Sequence, residues 1–164
     1  MTTPPEHAVT IRPARPEDAE GIAFVHATSW RETYARFVED PDASRWFAVE
    51  PRIGMWRSNL AEDVLSTMVA VAGDRIVGFA AVQETADADA VRPEELTMLY
   101  VLADAHGSGA GQGLLDAVLA DRPASLWVAA DNPRARAFYR RNGFRPDGAR
   151  SSFGPMKDTV RLVR

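Results

Sequence analysis

The 164-residue chain contains no cysteine. That excludes disulfides, thiolate metal sites and a cysteine nucleophile, and with them any route through an acyl-cysteine. No apolar run approaches the roughly 20 residues needed to span a bilayer, so no membrane association is expected. The opening MTTPPEHAVT lacks the basic region and following apolar stretch of a secretory signal, and a cytoplasmic protein is expected. A basic excess is also missing: the formal net charge is -4, which argues against general nucleic-acid binding. Internal repeats and low-complexity segments are absent. What remains is 46% hydrophobic and 26% charged, the composition of an ordinary globular protein, with a length that suits a single domain over residues 1–164.

The most informative stretch is ELTMLYVLADAHGSGAGQGLLDAVL, Glu95 to Leu119. A β-like apolar run leads into four alternating glycines, Gly107, Gly109, Gly111 and Gly113. Leu114, Leu115, Val118 and Leu119 then follow at helical spacing. Glycine permits positive φ and close approach of a ligand to the main chain. A helix N-terminus adds unpaired N–H groups and the positive end of the peptide dipoles, so the junction is suited to bind an anion, above all a phosphate.

Three phosphate ligands fit such a junction to different degrees. A P-loop ends in Gly-Lys-Ser or Gly-Lys-Thr, where this chain has Gly113-Leu114-Leu115. A dinucleotide turn is harder to dismiss, because a strand over Ser125 to Ala130 follows and ends at Asp131, a place for a ribose-binding carboxylate. Its G-x-G-x-x-G spacing is not met, since Gln112 or Leu114 falls in the last position. The third ligand, acyl-coenzyme A, presents a pyrophosphate to the same kind of amide cradle.

The run His106-Gly107-Ser108-Gly109-Ala110-Gly111, followed by Gln112, resembles the Q/R-x-x-G-x-G/A signature of the GNAT superfamily of acyl-CoA-dependent N-acyltransferases. As in that family, an apolar strand, Leu99-Tyr100-Val101, precedes it. A second block, LWVAADNPRARAFYRRNGF from Leu126 to Phe144, resembles the next family motif: strand, Asn, a short helix carrying Tyr, then Gly-Phe. Two departures stand out, His106 for the usual Arg or Gln and Ala103 for a common Pro. The resemblance implies that the pyrophosphate contacts are made mainly by backbone amides, so neither change is expected to abolish binding.

The resemblance implies an α/β fold of α+β type. Its central mixed, mostly antiparallel sheet of about six or seven strands has a splayed parallel pair at the acyl-CoA site and about four flanking helices. The residues read compatibly along the chain. Val9 to Arg12 is a first strand, and a helix runs from Pro16 to about Tyr34 with Ile22, Val25, His26, Ser29 and Trp30 on one face. Pro41 to Leu60 reads as a less regular helical segment. Thr67 to Ala72 and Ile76 to Gln83 form a hairpin around Gly73-Asp74-Arg75. The Glu95 strand, glycine turn, helix and Leu126 strand make a right-handed parallel βαβ unit. The next helix has Asn132 as N-cap, Pro133 in its first position and Gly143 past its end. Two strands close the chain, Phe144 to Ala149 and Thr159 to Val163, joined by a flexible segment from Ser151 to Lys157.

Acyl transfer from a thioester requires a neutral amine, stabilisation of an oxyanion and a proton for the thiolate. A lysine-like amine is neutral in only about one molecule in 2500 at pH 7, so a base is needed. Glu95, eleven residues before His106, occupies a position where some family members carry that base. Strand alternation puts Glu95, Thr97, Leu99 and Val101 on one face and Leu96, Met98 and Tyr100 on the other. For the oxyanion the resemblance implies a main-chain N–H near Leu99, and for the acid it implies Tyr139. Asn132 is expected to cap its helix and to bond the pantetheine arm. Trp30, Arg31 and Tyr34 form an aromatic and basic cluster expected in the acceptor pocket. Arg134, Arg136, Arg140, Arg141 and Arg145 suit an anionic donor, while the acidic segment from Glu84 to Glu95 favours a cationic acceptor.

The expected protein is therefore an acetyl-CoA-dependent N-acetyltransferase, without metal, acting on a small-molecule amine or a peptide N-terminus. A binding-only acyl-CoA sensor and a nucleotide-dependent oxidoreductase are the alternatives. An exposed last strand and the apolar segment around Trp46 make a homodimer plausible.

Overall fold

The computed structural model describes residues 8–164. Most of the opening segment read above for a secretory signal lies outside the described residues. The strands are β1 (Val9–Pro13), β2 (Ser66–Ala72), β3 (Arg75–Glu84), β4 (Glu94–Val101), β5 (Ser125–Ala129), β6 (Arg145–Phe153) and β7 (Met156–Val163). The helices are α1 (Ala19–Tyr34), α2 (Glu50–Glu62), α3 (Ala110–Leu119) and α4 (Pro133–Arg141). One sheet runs β1-β2-β3-β4-β5-β7-β6, antiparallel at every junction except β4 with β5. No helix among the described residues is long and apolar enough to cross a membrane.

Helices cover both faces of the middle of the sheet, so β3 must be apolar on both sides, and Val77 to Val82 are all buried. On one face α3 sets Leu114, Leu115, Val118 and Leu119 against Val77, Ala80, Leu126 and Val128. At about 1.5–3 kcal/mol for each fully buried aliphatic side chain, those four contribute on the order of 6–12 kcal/mol before entropy is counted. On the other face Ile22 and Val25 of α1 and Trp56 of α2 pack on Val69, Phe79 and Ala81. The entry to α1 is held by Asp18, whose carboxylate accepts from the Arg15 N–H at 2.7 Å and from both terminal nitrogens of Arg12 at 2.7 and 3.0 Å. The segment expected to be irregularly helical resolves into a short turn at Arg45–Phe47 and then α2.

The C-terminal end differs from the sequence reading. Ser151 to Lys157 is not a flexible connection: β6 continues to Phe153, β7 begins at Met156, and Gly154-Pro155 make a two-residue turn between them. The turn lies against Trp46, where a Cβ on Gly154 would come within 2.9 Å of the indole. Nor is the last strand an edge, since β7 sits between β5 and β6. The edge at this end of the sheet is β6, a poor template for a further strand because Pro146 has no N–H to offer and its pairing is interrupted between Pro146 and Arg150. Trp46 stacks on Trp30 with ring centroids 6.0 Å apart. Neither feature therefore argues for a homodimer.

Candidate active site

Strands β4 and β5 are paired only at Glu95 with Ser125, after which they diverge, while β5 stays in register with β7 over its whole length. A β-bulge accounts for part of the divergence. Val82 faces Leu96 and Ala81 faces Met98, so Thr97 is the extra residue, and its hydroxyl donates to the Ala81 carbonyl at 3.0 Å. A bulge bends its strand and increases its twist. Further along, the Leu102 N–H donates to the Val77 carbonyl at 2.9 Å. Alternation then turns the N–H groups of Leu99 and Val101 toward the gap where β5 has departed. The Val101 carbonyl on that edge is bonded to His106 Nε2 at 3.0 Å.

The bulge corrects the expected faces of β4. Leu96 lies with Leu99 and Val101 on the α3 side, whereas Met98 and Tyr100 face α1. A two-residue alternation cannot survive an inserted residue, so Glu95 shares its face with Met98 and Tyr100 rather than with Leu99. Glu94 points the other way and is bridged by Arg122 at 2.9 and 3.2 Å. Burial raises the Glu95 pKa above its ordinary value, with Arg161 opposing the shift.

The glycine junction is tighter than the sequence suggests. Only Gly107 and Gly109 have positive φ, 81° and 87°. The helix already begins at Ala110, so Gly111 and Gly113 lie within it, and a Cβ on Gly113 would come within 3.0 Å of Ile11. Ser108 Oγ accepts from the Ala110 N–H at 3.2 Å. The N–H groups of Gly107, Gly109, Gly111 and Gln112 have no partner among the described residues. The Gln112 side chain is engaged elsewhere, donating to Asp116 and Asn142 at 2.8 Å each.

A single cleft of about 620 Å³ joins this loop, the open edge of β4, the C-terminal part of α1 and the face of α4. Arg134 and Arg141 line it without a partner among the described residues, whereas Arg136 and Arg145 are spent on main-chain carbonyls. Asn132 caps α4, accepting from the Ala135 N–H at 3.2 Å, and lines the cleft with no partner for its Nδ2 among the described residues. The end of α4 is a Schellman motif: the Phe144 N–H donates to the Tyr139 carbonyl at 3.0 Å and the Gly143 N–H to that of Arg140 at 3.2 Å. The Phe144 ring closes on Tyr139 with centroids 5.7 Å apart, which explains locally why Gly-Phe follows the tyrosine helix. Burial pushes the Tyr139 phenol pKa well up, so it remains a donor.

Tyr34 lines the cleft, but Trp30 sits one layer behind it, with its indole N–H donating to the Tyr100 hydroxyl at 2.9 Å. Arg31 turns outward to Asp42. Tyr100 thus contributes main chain to the cleft and its side chain to the core. Beyond the splay, the face of β5, β7 and β6 opposite α3 carries Trp127, which is 39% exposed, with the Arg161 guanidinium 5.6 Å from its ring centroid and bonded to Asp147 at 2.7 Å. The sequence reading passed over this group. The alternation Leu126-Trp127-Val128 was the available signal, since two neighbours bound for the core leave the tryptophan on the opposite face.

A family model for an acetyltransferase (GNAT) domain matches residues 63–146. A probable N-acetyltransferase of Mycobacterium tuberculosis is 26% identical over 156 residues, spanning 90% of this chain and 86% of that protein. The fold is shared with the PaiA N-acetyltransferase of Thermoplasma acidophilum, solved in complex with coenzyme A. The TM-score is 0.66 at 20% identity, over 93% of this chain and 97% of that one. It is also shared with a GCN5-related N-acetyltransferase of Rhodopseudomonas palustris, with a TM-score of 0.71 at 20% identity over 99% of both chains.

Proposed function

Since this chain belongs to the GNAT family of acetyltransferases and is an acyltransferase, we propose that it transfers an acetyl group from acetyl-CoA to a primary amine by direct attack in a ternary complex. The observation that carries the donor assignment is the group of unpartnered N–H donors at Gly107, Gly109, Gly111 and Gln112, gathered at the start of α3. They suit a pyrophosphate, with Arg134 and Arg141 available for its remaining charge. The Leu99 and Val101 N–H groups and Asn132 Nδ2 suit the amides of a pantetheine arm.

The thioester supplies an acyl group already activated toward attack; the chain supplies placement and proton transfer. Leu99 N–H is the donor for the carbonyl oxygen. Tyr139 holds a proton for the departing sulfur; because burial raises its pKa, no tyrosinate accumulates and the transfer is coupled to return of the amine proton. Glu95 lies about 10 Å along β4 from Leu99, three strand steps and a bulge, so it takes the amine proton through water. The acceptor enters over Trp127 and past Tyr34, with Trp30 supporting the wall. It is a small amine or a peptide N-terminus.

Calorimetric titration with acetyl-CoA, NAD and ATP, followed by an amine panel with thiol detection, tests this reading. Binding of acetyl-CoA alone and amine-dependent release of CoA are expected. Selective binding of NAD would overturn the donor, and acetyl-CoA binding with no release for any amine would favour a sensor.

A further inference from the structure

Two phenols meet the cleft from different elements, Tyr34 from the last turn of α1 and Tyr139 from α4. Their residues are only 6% and 8% exposed. Neither hydroxyl has a partner among the described residues, yet neither is sealed off, in contrast to the buried and unpartnered Ser29 hydroxyl. A nearly buried hydroxyl that opens only to a cleft takes its partner from whatever fills that cleft. The neighbouring phenol of Tyr100 behaves differently, because its hydroxyl is already bonded to Trp30.

Both phenols are also held in place. The Tyr34 ring packs edge-on against Trp30 with centroids 5.0 Å apart. The end of α1 is pinned over the cleft on two sides. Glu32 accepts the Ala103 N–H at 3.1 Å, and Arg36 donates to the Asp131 carbonyl at 2.6 Å. Tyr139 is locked by the Schellman turn and Phe144. Fixed donors of this kind stabilise charge that develops between them without reorganising.

We propose that Tyr34 belongs to the donor half of the site: its hydroxyl joins that of Tyr139 in donating to the departing sulfur, so that two phenols hold the leaving thiolate. The proposal rests on the acyl-CoA reading above. It follows from what the main chain leaves unserved. The open edge of β4 offers N–H groups to carbonyl and amide oxygens, while the sulfur has no main-chain donor assigned to it. In the step itself the amine nitrogen bonds the carbonyl carbon and the C–S bond breaks with its electron pair on sulfur. The sulfur takes a proton from Tyr139, and the proton released by the nitrogen restores that phenol by way of water and Glu95. Tyr34 keeps its proton throughout and acts as a hydrogen-bond donor.

The test needs no acceptor. CoA labelled with carbon-13 beside the sulfur is titrated by NMR on the wild type, Tyr34→Phe, Tyr139→Phe and the double variant. A donor to a charged group is worth enough to move the bound thiol by about one pH unit, a tenfold change in thiolate at a given pH. Tyr34→Phe should raise the thiol pKa by that amount, with the double variant raised further and the affinity for the neutral thiol nearly unchanged. A shift on Tyr139→Phe with none on Tyr34→Phe would overturn the role of Tyr34 alone. Failure of CoA to bind the wild type would overturn this role together with the donor reading. Tyr34→Phe retains the ring and removes a hydroxyl that has no partner among the described residues, so its melting temperature should match or exceed that of the wild type. A large loss of stability would reveal an internal partner and also overturn the proposal.

Discussion

Replacing Gly109 by alanine should damage both the fold and the donor site, by amounts that follow from one dihedral angle. Gly109 precedes α3 with φ of 87°, and a Cβ there would have no heavy atom within 4 Å. Steric contact with the surroundings is therefore not the cost. What remains is the left-handed backbone, about 1–2 kcal/mol for an L-residue. At about 2–4 °C per kcal/mol for a chain of this size, the melting temperature should fall by about 2–8 °C. Relaxation of the strain rotates the peptides that aim Gly111 and Gln112 at the cleft. Loss of one hydrogen bond to a charged phosphate, about 1.5–3 kcal/mol, weakens acetyl-CoA roughly 10- to 100-fold. Gly54→Ala is the control. Gly54 lies inside α2, has equal open space and is not in the left-handed region, so alanine should stabilise the chain by about 0.8–1 kcal/mol and leave binding alone. Scanning calorimetry and titration with acetyl-CoA on both variants decide the matter. A Gly109→Ala protein that melts and binds like the wild type would refute the argument, as would a Gly54→Ala protein that loses stability.

Acid should destabilise the fold through His26, which burial and the nearby Arg52 bring down to about 3 while its Nδ1 accepts from the Trp56 indole at 3.2 Å. Because the unfolded histidine binds its proton near pH 6.5 and the folded one does not, stability is fully present above that pH and is lost as pH falls toward 3. The loss is about 2 kcal/mol between pH 6.5 and 5, read from denaturant unfolding, and an NMR titration of His26 with a midpoint near 6.5 would contradict it. Glu95→Gln should lower amine-dependent turnover at least tenfold and abolish the acidic limb of the pH–rate profile, which lies above the usual carboxylate range because burial raises this group. The same raised pKa means that ionised Glu95 costs stability at neutral pH, so the variant should melt no lower than the wild type; a lower melting temperature would show a structural role instead.

The glycine turn and the caps of α4 were legible because they depend on local chemistry. The glycines, the Asn132 cap, Pro133 and the Gly143-Phe144 stop each act on main-chain groups within a few residues, and the structure has them where the chain order implies. The open edge of β4 was less legible. The face of Glu95 depends on the bulge at Thr97, and that bulge depends on how β4 registers with β3, whose residues lie some fifteen positions away. The β6–β7 turn read as flexible because its partner, Trp46, is remote in the chain.

By itself the sequence determined most of the elements, their order and the glycine-rich start of α3, since periodicity, capping and positive φ are properties of short segments. Tertiary structure decided the rest: that β4 and β5 part, that Trp30 serves Tyr100 rather than the cleft, and that Tyr34 faces Tyr139's cleft. Those outcomes turn on which strands pair and which helices cross them, and no short segment encodes its distant partner.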